Sequence, residues 1–289
     1  MSLKLYTEST ETNPPWTNVI TRHIPHTPCE TPEEADFIVS TQIPYGSIDV
    51  HLIQTTLHSY RDAPYRVLVF LLSDYNESLD VPSNVLLFRA GMYRSHKKPN
   101  EFLCPYVWVK EELQGEDDSP PLPKQTHRPI IGFCGSIASH PCRIQHINQV
   151  KRATDIKSNF ILRTDHWAGK PHDSQVVQQF VKNIRESHFT LCSRGAGNWS
   201  ARFYQVLALG RIPVVVQTDM ILPWEEHIPW QDIVVLCPQE QDIAPRIRQV
   251  WNTRNLVEMQ RQCRRIYEEY LAPEAWGRRI ATEILQPLL

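Results

Sequence analysis

Short apolar runs alternate with polar, amphipathic stretches along the first part of the chain. Three runs rich in large and β-branched residues, at 35–40, 65–72 and 84–88, are bounded by proline, aspartate or serine and predict buried strands. Between the first two, residues 47–61 place apolar side chains at helical spacing. Strands that alternate with helices in this way indicate strand–helix–strand units on a parallel sheet.

The alternation restarts after an interruption. Residues 115–129 are acidic, then proline-rich, and lack apolar periodicity, which predicts an interdomain linker. Beyond it the pattern predicts strands at 129–135, 159–163, 188–192, 212–216 and 233–236 and helices at 174–187 and 200–209. Residues 240–270 are predicted to be largely helical, and Pro273 opens a last helix over 274–285. The sequence therefore predicts an α/β fold with two Rossmann-like domains.

Composition and charge narrow the classes of function. A length of 289 residues suits two medium domains, and a formal net charge of −2 argues against a nucleic-acid partner held by bulk electrostatics. The seven cysteines are scattered without a C-x-x-C pair, so neither a zinc site nor a disulfide framework is expected. A polar N-terminus and the lack of an apolar run of ~20 residues predict a soluble, cytoplasmic protein without an integral membrane segment.

One stretch, residues 189–224, combines glycine, serine and arginine at a strand-to-helix junction. The predicted strand 188–192 leads directly into a glycine-containing loop, and the next helix begins near Ser200, so backbone N–H groups converge at the end of the strand. Such a junction suits a phosphate, because glycines permit close approach and arginines add charge-assisted hydrogen bonds. The candidate phosphate-binding residues are Ser193, Arg194, Gly195, Gly197, Ser200 and Arg202.

A simpler alternative is that the two glycines of this loop only shape a tight turn and that its arginines are solvated. The spacing also differs from the dinucleotide-binding fingerprint, because Ser200 stands where that motif needs a glycine. The sequence contains no G-x-x-x-x-G-K-[ST] loop either. A nucleotide-dependent oxidoreductase and a P-loop protein are therefore disfavoured.

The same stretch resembles the signature of the exostosin family of glycosyltransferases, approximately C-P-R-G-x-G-x-x-S-x-R-x-x-E-x-L-x-x-G-x-I-P-V followed by D and L-P-F. The matching positions are Cys192, Arg194, Gly195, Gly197, Ser200, Arg202, Leu207, Gly210, Ile212, Pro213, Val214, Asp219, Leu222 and Pro223. Weaker similarity extends through residues 132–135, Arg143 and the strands around 35–36 and 67–74. The compact form is similar to exostosin-like enzymes of chloroviruses, some of them xylosyltransferases, which favours a viral protein that acts in the host cytoplasm.

Two positions depart from the family signature. Ser193 replaces a proline, which a turn tolerates, and Gln205 replaces a glutamate. In transferases of this general fold that glutamate commonly accepts hydrogen bonds from the donor ribose, whereas an amide oxygen lacks the charge. Gln205 therefore either keeps a weakened ribose contact or is a solvated helix residue. It also motivates a different class of function, a carbohydrate-binding protein that keeps the fold without activity.

The resemblance implies the GT-B-type architecture, in which two Rossmann-like domains face a cleft. Residues 1–126 would bind the acceptor, residues 127–270 the nucleotide-sugar, and residues 271–289 would form a terminal helix that crosses back to the first domain. It also implies inverting transfer of a sugar from a nucleotide-sugar substrate, such as UDP-xylose, to a glycan hydroxyl, without a cofactor. The donor contacts that it implies are Arg143 on the diphosphate and Asp219 near the base or sugar. Arg163, which ends another predicted strand, is a weaker candidate for the diphosphate.

Acidic residues bear on metal use. The sequence lacks the Asp-x-Asp motif that holds a divalent cation in single-domain nucleotide-sugar transferases. The acidic run at 116–118 lies in the predicted linker and is expected to be solvated. Metal-independent transfer is therefore expected, with arginines and a helix dipole neutralising the departing diphosphate.

An inverting displacement needs a base that takes the proton of the acceptor hydroxyl. Asp74, directly after the strand 65–72, is the first candidate and Glu77 the second, while Asp49 and Glu101 stay open. Asp74 could equally serve as a turn residue. Aromatic side chains that could stack on sugar faces are Trp199, Trp224 and Trp230.

Overall fold

The computed structural model describes residues 2–8, 17–113, 120–123, 127–170 and 173–289. The chain divides into two compact units. The first comprises Met1–Val107, Asp219–Pro223 and Glu269–Leu289, and the second comprises Trp108–Thr218 and Trp224–Glu268. The domain limits expected from the sequence, 1–126, 127–270 and 271–289, stay a prediction.

The first unit contains a six-stranded sheet in which every pair of neighbours is parallel. Its strands are β1 (Lys4–Thr7), β2 (Thr27–Pro28), β3 (Phe37–Val39), β4 (Arg66–Leu71), β5 (Val85–Arg89) and β6 (Glu101–Leu103), in the order β2-β1-β3-β4-β5-β6. The helices that precede β2 and β4 are α1 (Thr17–Thr21) and α2 (Val50–Ser59). The central strands β4 and β5 are buried on both faces, which explains their continuous apolar sequences.

The second unit contains a five-stranded parallel sheet. Its strands are β7 (Ile130–Ser136), β8 (Lys157–Arg163), β9 (Phe189–Leu191), β10 (Ile212–Val216) and β11 (Val235–Cys237), in the order β11-β10-β9-β7-β8. Its helices are α3 (Val109–Glu112), α4 (Cys142–Arg152), α5 (Ser174–Arg185), α6 (Ala201–Ala208), α7 (Trp230–Ile233), α8 (Ile243–Thr253) and α9 (Leu256–Ile266). Because β7 and β9 are parallel neighbours, the loops that follow them emerge at the same edge of the sheet.

These parallel sheets with alternating helices confirm the predicted α/β fold class with two Rossmann-like units. The strands predicted in both halves are present, with ends shifted by a few residues. The predicted cleft stays a prediction. Within the described ranges, no helix is both long and apolar enough to span a membrane.

Residues 120–123 of the predicted linker are hydrogen-bonded within the second unit. The Pro120 carbonyl accepts from Nη1 of Arg211 at 3.0 Å. Leu122 N–H donates to the amide oxygen of Gln260 at 2.8 Å, and the Gln260 amide nitrogen donates to the Leu122 carbonyl at 2.9 Å. The acidic run at 116–118 lies outside the described residues.

The predicted last helix begins at Pro273, as expected from proline at a first-turn position. It comprises α10 (Pro273–Arg279), which continues as a π-helical segment over Ile280–Leu285. This helix belongs to the first unit, where the fully buried Trp276 packs edge-on against Phe88. Gly277 passes so close to the backbone of His23 that any side chain would collide with it.

Candidate functional site

The loop between β9 and α6 is the predicted phosphate-binding junction, and it is fixed by hydrogen bonds of its own. Gly195 N–H donates to the Trp199 carbonyl at 3.1 Å. The buried Asn198 side chain donates to the Thr218 carbonyl at 3.0 Å and accepts from the Thr218 hydroxyl at 2.5 Å. Ser200 occupies the N-cap position of α6, but its side chain makes no capping hydrogen bond. Its hydroxyl is therefore not committed to the helix.

Arg202, on the first turn of α6, is buried at 8% exposure. Its guanidinium stacks over Phe133, with Cζ 4.2 Å from the centre of the ring. Its Nη2 donates to the Cys134 carbonyl at 2.9 Å. Its Nε and Nη1 atoms are buried without a hydrogen-bond partner among the described residues. Burial lowers the pKa of Arg202. Buried donors without a partner are costly, so this side chain differs from an ordinary structural arginine.

Gly135, near the end of β7, makes room for that guanidinium. Its φ of +152° is a conformation that residues with a side chain rarely adopt. A Cβ atom at this position would lie 2.5 Å from Nη2 of Arg202. The glycine in the β7 sequence therefore permits Arg202 to reach the edge of the sheet.

Arg143, on α4, joins the loops that follow β7 and β9. It donates from Nε to the Arg194 carbonyl at 2.9 Å, from Nη1 to the Ser136 carbonyl at 2.8 Å, and from Nη2 to the Ser193 carbonyl at 3.4 Å. The structure thus brings Arg143 to the predicted loop, as the family resemblance implies. All three of these bonds go to backbone carbonyls, so Arg143 holds the two loops together and adds a positive charge beside them.

The remaining predicted donor residues of this unit differ in their surroundings. Arg194 is partly exposed and folds back on its own loop, donating from Nη2 to the Ala196 carbonyl at 2.9 Å. Gly197 is buried within the loop. Arg163, at the end of β8, donates to the Gln179 amide oxygen at 3.0 Å. These side chains lie at or beside the strand ends, whereas Arg202 alone of the predicted arginines has buried donors without a partner among the described residues.

Gln205 is buried at 3% exposure, so the solvated alternative for this residue is wrong. Its amide nitrogen donates to the carboxylate of Glu112 on α3. A carboxylate therefore stands next to the position where the family has glutamate, although it comes from another element. The sequence could not point to this pair, because the two residues are far apart in the chain.

Two histidines near the loop were not predicted. His146 on α4 is buried, and its Nδ1 lies 2.7 Å from the hydroxyl of Ser193. His140 accepts a hydrogen bond at Nδ1 from Cys142 N–H at 3.2 Å, which leaves Nε2 to carry the proton. Burial, followed by the charges of Arg194 and Arg143, lowers the pKa of His140. The helix that carries His146 was not predicted either, so no sequence signal connected it with Ser193.

The loop after β4 in the first unit carries the candidate bases. Asp74 and Glu77 are exposed there. The Ser73 hydroxyl accepts from Tyr75 N–H at 3.2 Å, and the Asn76 amide donates to the Asp74 carbonyl at 2.5 Å. This hydrogen-bonded turn holds both carboxylates on the surface at the end of a central strand.

The other two base candidates have structural roles. Glu101 is buried at 1% exposure and forms an ion pair of 2.9 Å with the equally buried Arg89. Asp49 caps α2 by accepting from the N–H groups of His51 and Leu52 at 3.0 and 3.2 Å. Neither carboxylate is available for the acceptor proton.

Asp219 belongs to the first unit by its contacts, although the family motif that contains it lies mostly in the second. Its carboxylate accepts from the Ser95 hydroxyl at 2.7 Å and from Ser95 N–H at 3.2 Å, and its carbonyl accepts from Arg94 N–H at 2.7 Å. The Ser95 hydrogen bonds are the main cause that lowers the pKa of Asp219. Asp219 therefore holds the turn formed by Arg94–His96.

The three tryptophans proposed as sugar platforms have different environments. Trp230 is buried at 2% exposure and contacts Phe203, so it belongs to the core. Trp224 is half-buried and stacks on His227 with ring centres 5.9 Å apart. Trp199 is also half-buried, and it lies within the predicted phosphate-binding loop.

A family model described as the Exostosin GT47 domain matches residues 105–249, which is half of the chain. The chain belongs to the exostosin GT47 family. In this GT47 chain the matched region runs from the end of the first unit through β7, the Arg202 helix and β11 into α8. The predicted phosphate-binding loop and the buried arginine thus both lie inside the family region.

Relatives of this GT47 chain include sugar transferases by name. Human Exostosin-2 is 27% identical over 211 residues, covering 68% of this chain and 28% of the relative. "Probable glucuronosyltransferase GUT1" of Oryza sativa subsp. japonica is 32% identical over 81 residues, covering 28% of this chain and 17% of the relative. "Probable beta-1,4-xylosyltransferase IRX10L" of Arabidopsis thaliana is 34% identical over 64 residues, covering 22% and 15%. The GT47 chain thus spans less than a third of the length of these relatives.

A solved structure titled "Crystal structure of GtfA/B complex bound to UDP and GlcNAc" aligns over 82% of this GT47 chain and 54% of its own. The sequence identity is 8% and the TM-score is 0.31.

Proposed function

We propose that this GT47 protein is a metal-independent, inverting glycosyltransferase that moves a sugar from a nucleotide-sugar to a glycan hydroxyl. The names of its relatives favour a glucuronosyl or xylosyl group, carried on UDP. The second unit would bind the donor diphosphate, and the first unit would supply the group that takes the acceptor proton. The nucleotide-sugar is a substrate, and the proposal includes no cofactor.

The observation that carries this proposal is the buried Arg202 with two unpartnered donors. A diphosphate oxygen would accept from those donors and neutralise a charge that is otherwise buried at a cost. Arg194 lies on the loop that precedes α6. The hydroxyl of Ser200 lies at the N-cap of α6, the helix that carries Arg202. Charge that develops on the departing diphosphate would thus meet fixed donors, which is how such sites lower a barrier.

The proposed reaction needs a site that holds the departing diphosphate and a base that takes the acceptor proton. As the acceptor oxygen bonds to the anomeric carbon, the bond from that carbon to the diphosphate breaks and the diphosphate takes the electron pair. The acceptor proton passes to a base, for which the exposed turn with Asp74 and Glu77 is the predicted place. The lack of an Asp-x-Asp motif supports neutralisation of the diphosphate by arginine in place of a cation.

The test measures donor binding and transfer separately. At 100 times its dissociation constant, UDP should add about 2.7 kcal/mol to the unfolding free energy. With a matching UDP-sugar and glycan acceptor, transfer should continue in excess EDTA. Failure of every UDP- and GDP-sugar to stabilise the protein would contradict the donor site, whereas activity that returns only with Mn²⁺ or Mg²⁺ would contradict the metal-free mechanism.

A second candidate function is a binding protein that holds a nucleotide-sugar without turnover. The pairing of Gln205 with Glu112 favours it, because the amide is already committed within the protein. Such a protein would be stabilised by UDP-sugars but would release no UDP in the presence of any acceptor glycan. Measurement of UDP release therefore separates the two functions.

A further inference from the structure

His140 lies at the end of the loop that leads from β7 into α4. Its Nδ1 accepts a hydrogen bond at 3.2 Å from the N–H group of Cys142, the first residue of α4. A ring nitrogen that accepts from a backbone N–H carries no proton, so the neutral imidazole has its proton on Nε2. Nε2 has no hydrogen-bond partner among the described residues, and the residue is half-buried. The ring is therefore fixed at one edge and keeps one N–H group for a ligand.

The loop that carries His140 is hydrogen-bonded at both ends. At its start, the Ser136 hydroxyl donates to the Thr164 carbonyl at 2.7 Å and accepts from Ala138 N–H at 3.2 Å. At its end, Arg143 N–H donates to the His140 carbonyl at 3.1 Å. These bonds hold the loop by contacts of the protein alone, so the imidazole is positioned before a ligand binds.

The topology of the second sheet places this loop beside the predicted phosphate-binding loop. From β7 the chain passes to β8 on one side of that strand and then returns to β9 on its other side. In open parallel sheets, ligands bind at such a change of direction, outside the carboxyl ends of the strands. The loop after β7 ends at His140, whereas the loop after β9 contains Arg194 and leads to Arg202. Arg143 joins the two loops through the carbonyls of Ser136 and Arg194.

The charged groups around His140 keep the imidazole neutral. Burial lowers the pKa of His140, and the charges of Arg194, on the other loop, and of Arg143, on α4, lower it further. His146, the other histidine of α4, has a pKa that is lowered by burial and then by His140. A second proton on His140 would have to bind Nδ1 and would therefore also break the hydrogen bond from Cys142. Both effects favour the neutral Nε2–H form at neutral pH.

We propose that His140 is a further donor-site residue, which binds the diphosphate of the nucleotide-sugar through Nε2–H and stays neutral. This inference rests on the proposed function. An independent observation favours an anion at this strand end: the buried Arg202, which donates to the β7 residue Cys134, has two more donors without a partner among the described residues. When the bond from the anomeric carbon to the diphosphate breaks, the diphosphate oxygen takes the electron pair. His140 transfers no proton in this step and stabilises the leaving group as a fixed hydrogen-bond donor.

His140 suits this role better than His146 does. His146 is buried at 7% exposure, and its Nδ1 lies 2.7 Å from the Ser193 hydroxyl, so it supports the loop from below. His140 is half-buried and accessible to a ligand. Imidazoles whose pKa is lowered at the start of a helix serve enzymes as neutral donors to developing negative charge, which is the arrangement of His140 at the start of α4.

The experiment measures the affinity for UDP of the parent, His140→Ala and His140→Gln by calorimetric titration. Alanine removes the donor and should weaken UDP binding by about 10–100-fold, the range for a hydrogen bond to a charged group. Glutamine keeps a neutral N–H donor and should retain most of the parent affinity. The matched control is His127→Ala, because His127 is an exposed histidine of the same unit that precedes β7, at the opposite edge of the sheet. This variant should bind UDP like the parent.

Nitrogen NMR of the histidine-labelled parent gives a readout that a purely structural role would not change. The signals of His140, assigned by their loss in His140→Gln, should show a protonated Nε2 and an unprotonated Nδ1 both without and with UDP. UDP should shift the Nε2–H proton resonance, because a charge-assisted hydrogen bond to a phosphate oxygen forms. This measurement needs no variant that must fold without the imidazole.

Different failures have different meanings. A parent protein that does not bind UDP overturns the proposed donor site and this assignment with it. A parent that binds UDP while His140→Ala stays within about threefold of its affinity overturns the assignment alone. The assignment also falls if His140 carries its proton on Nδ1, or if bound UDP leaves the Nε2–H resonance unchanged.

Discussion

At the scale of single residues, Arg202 combines two properties that rarely occur together. It is almost completely buried, yet two of its donors lack a partner among the described residues. Protein interiors normally avoid this combination, because a buried unpaired donor costs ~1–3 kcal/mol. A bound diphosphate that supplied the missing acceptor would remove this cost, so we expect Arg202 to lower the stability of the free protein and to raise its affinity for the donor.

We therefore expect Arg202→Met to separate stability from binding. Methionine can fill the space over Phe133 without a charge, so the unfolding free energy of the ligand-free protein should stay within about 1 kcal/mol of the parent or rise. UDP binding should weaken by about 1.5–3 kcal/mol, because charged hydrogen bonds to the diphosphate are lost. Chemical denaturation and calorimetric titration with UDP measure the two quantities.

The matched control is Arg248→Met, which removes an exposed arginine of the same unit that pairs with Asp155. An exposed ion pair contributes little, so both quantities should change by less than ~1 kcal/mol. If Arg202→Met bound UDP like the parent, the arginine would be a structural residue and the phosphate site would need another location.

Residues close together in the chain could be assigned from the sequence, and residues brought together by folding could not. The phosphate loop and Arg202 occur within one short motif, so their proximity was predictable. Gln205 meets Glu112 only through packing of α3 against α6. No local pattern encodes such contacts, and a single sequence gives no other signal for them.

At the scale of elements, strand β7 contains two glycines with different tasks. A Cβ atom at Gly135 would lie 2.5 Å from the Arg202 guanidinium. A Cβ atom at Gly132 would instead lie 2.5 Å from the Ser187 hydroxyl and 2.9 Å from the Asn183 side chain. Gly135 thus leaves space for Arg202 at the candidate site, and Gly132 allows close packing between the sheet and the end of α5.

We expect the two alanine variants to differ in their effect on UDP affinity. Gly135→Ala should displace Arg202 and reduce UDP affinity by about tenfold or more, in addition to a backbone cost of about 1–3 kcal/mol. Gly132→Ala should lower the unfolding free energy by about 1–3 kcal/mol and leave UDP affinity unchanged. Titration of both variants below their unfolding temperatures checks this, and equal effects on UDP affinity would show that β7 acts only as a scaffold.

Helix α4 was not predicted from the sequence. Its sequence is mostly polar, and its buried face includes Arg143 and His146 beside Ile147 and Val150. Apolar periodicity detects helices that bury apolar side chains, whereas this helix buries polar ones at the candidate site. Strands β4, β5 and β10, which are buried on both faces, were predicted because their apolar runs are continuous.

At the scale of the whole molecule, α10 completes the first unit by close backbone packing. Gly277→Ala would place a Cβ atom 1.8 Å from the carbonyl oxygen of His23. Backbone cannot yield as a flexible side chain can, so we expect a loss of at least ~1–3 kcal/mol in unfolding free energy. Arg278→Ala, on the exposed side of the same helix, should change it by less than ~0.5 kcal/mol. Thermal and urea unfolding of both variants measure the difference.

The three separate stretches that build the first unit also determine when it can be completed during synthesis. Its sheet is translated first, but the helix whose Trp276 covers Phe88 follows the entire second unit in the chain. While the ribosome translates the intervening residues, the apolar surface around Phe88 lacks this cover. The second unit ends at Glu268 and does not include Glu269–Leu289. Its folding can therefore be completed earlier, although most of it is translated after the first sheet. A nascent chain of this protein would therefore complete its second unit before its first.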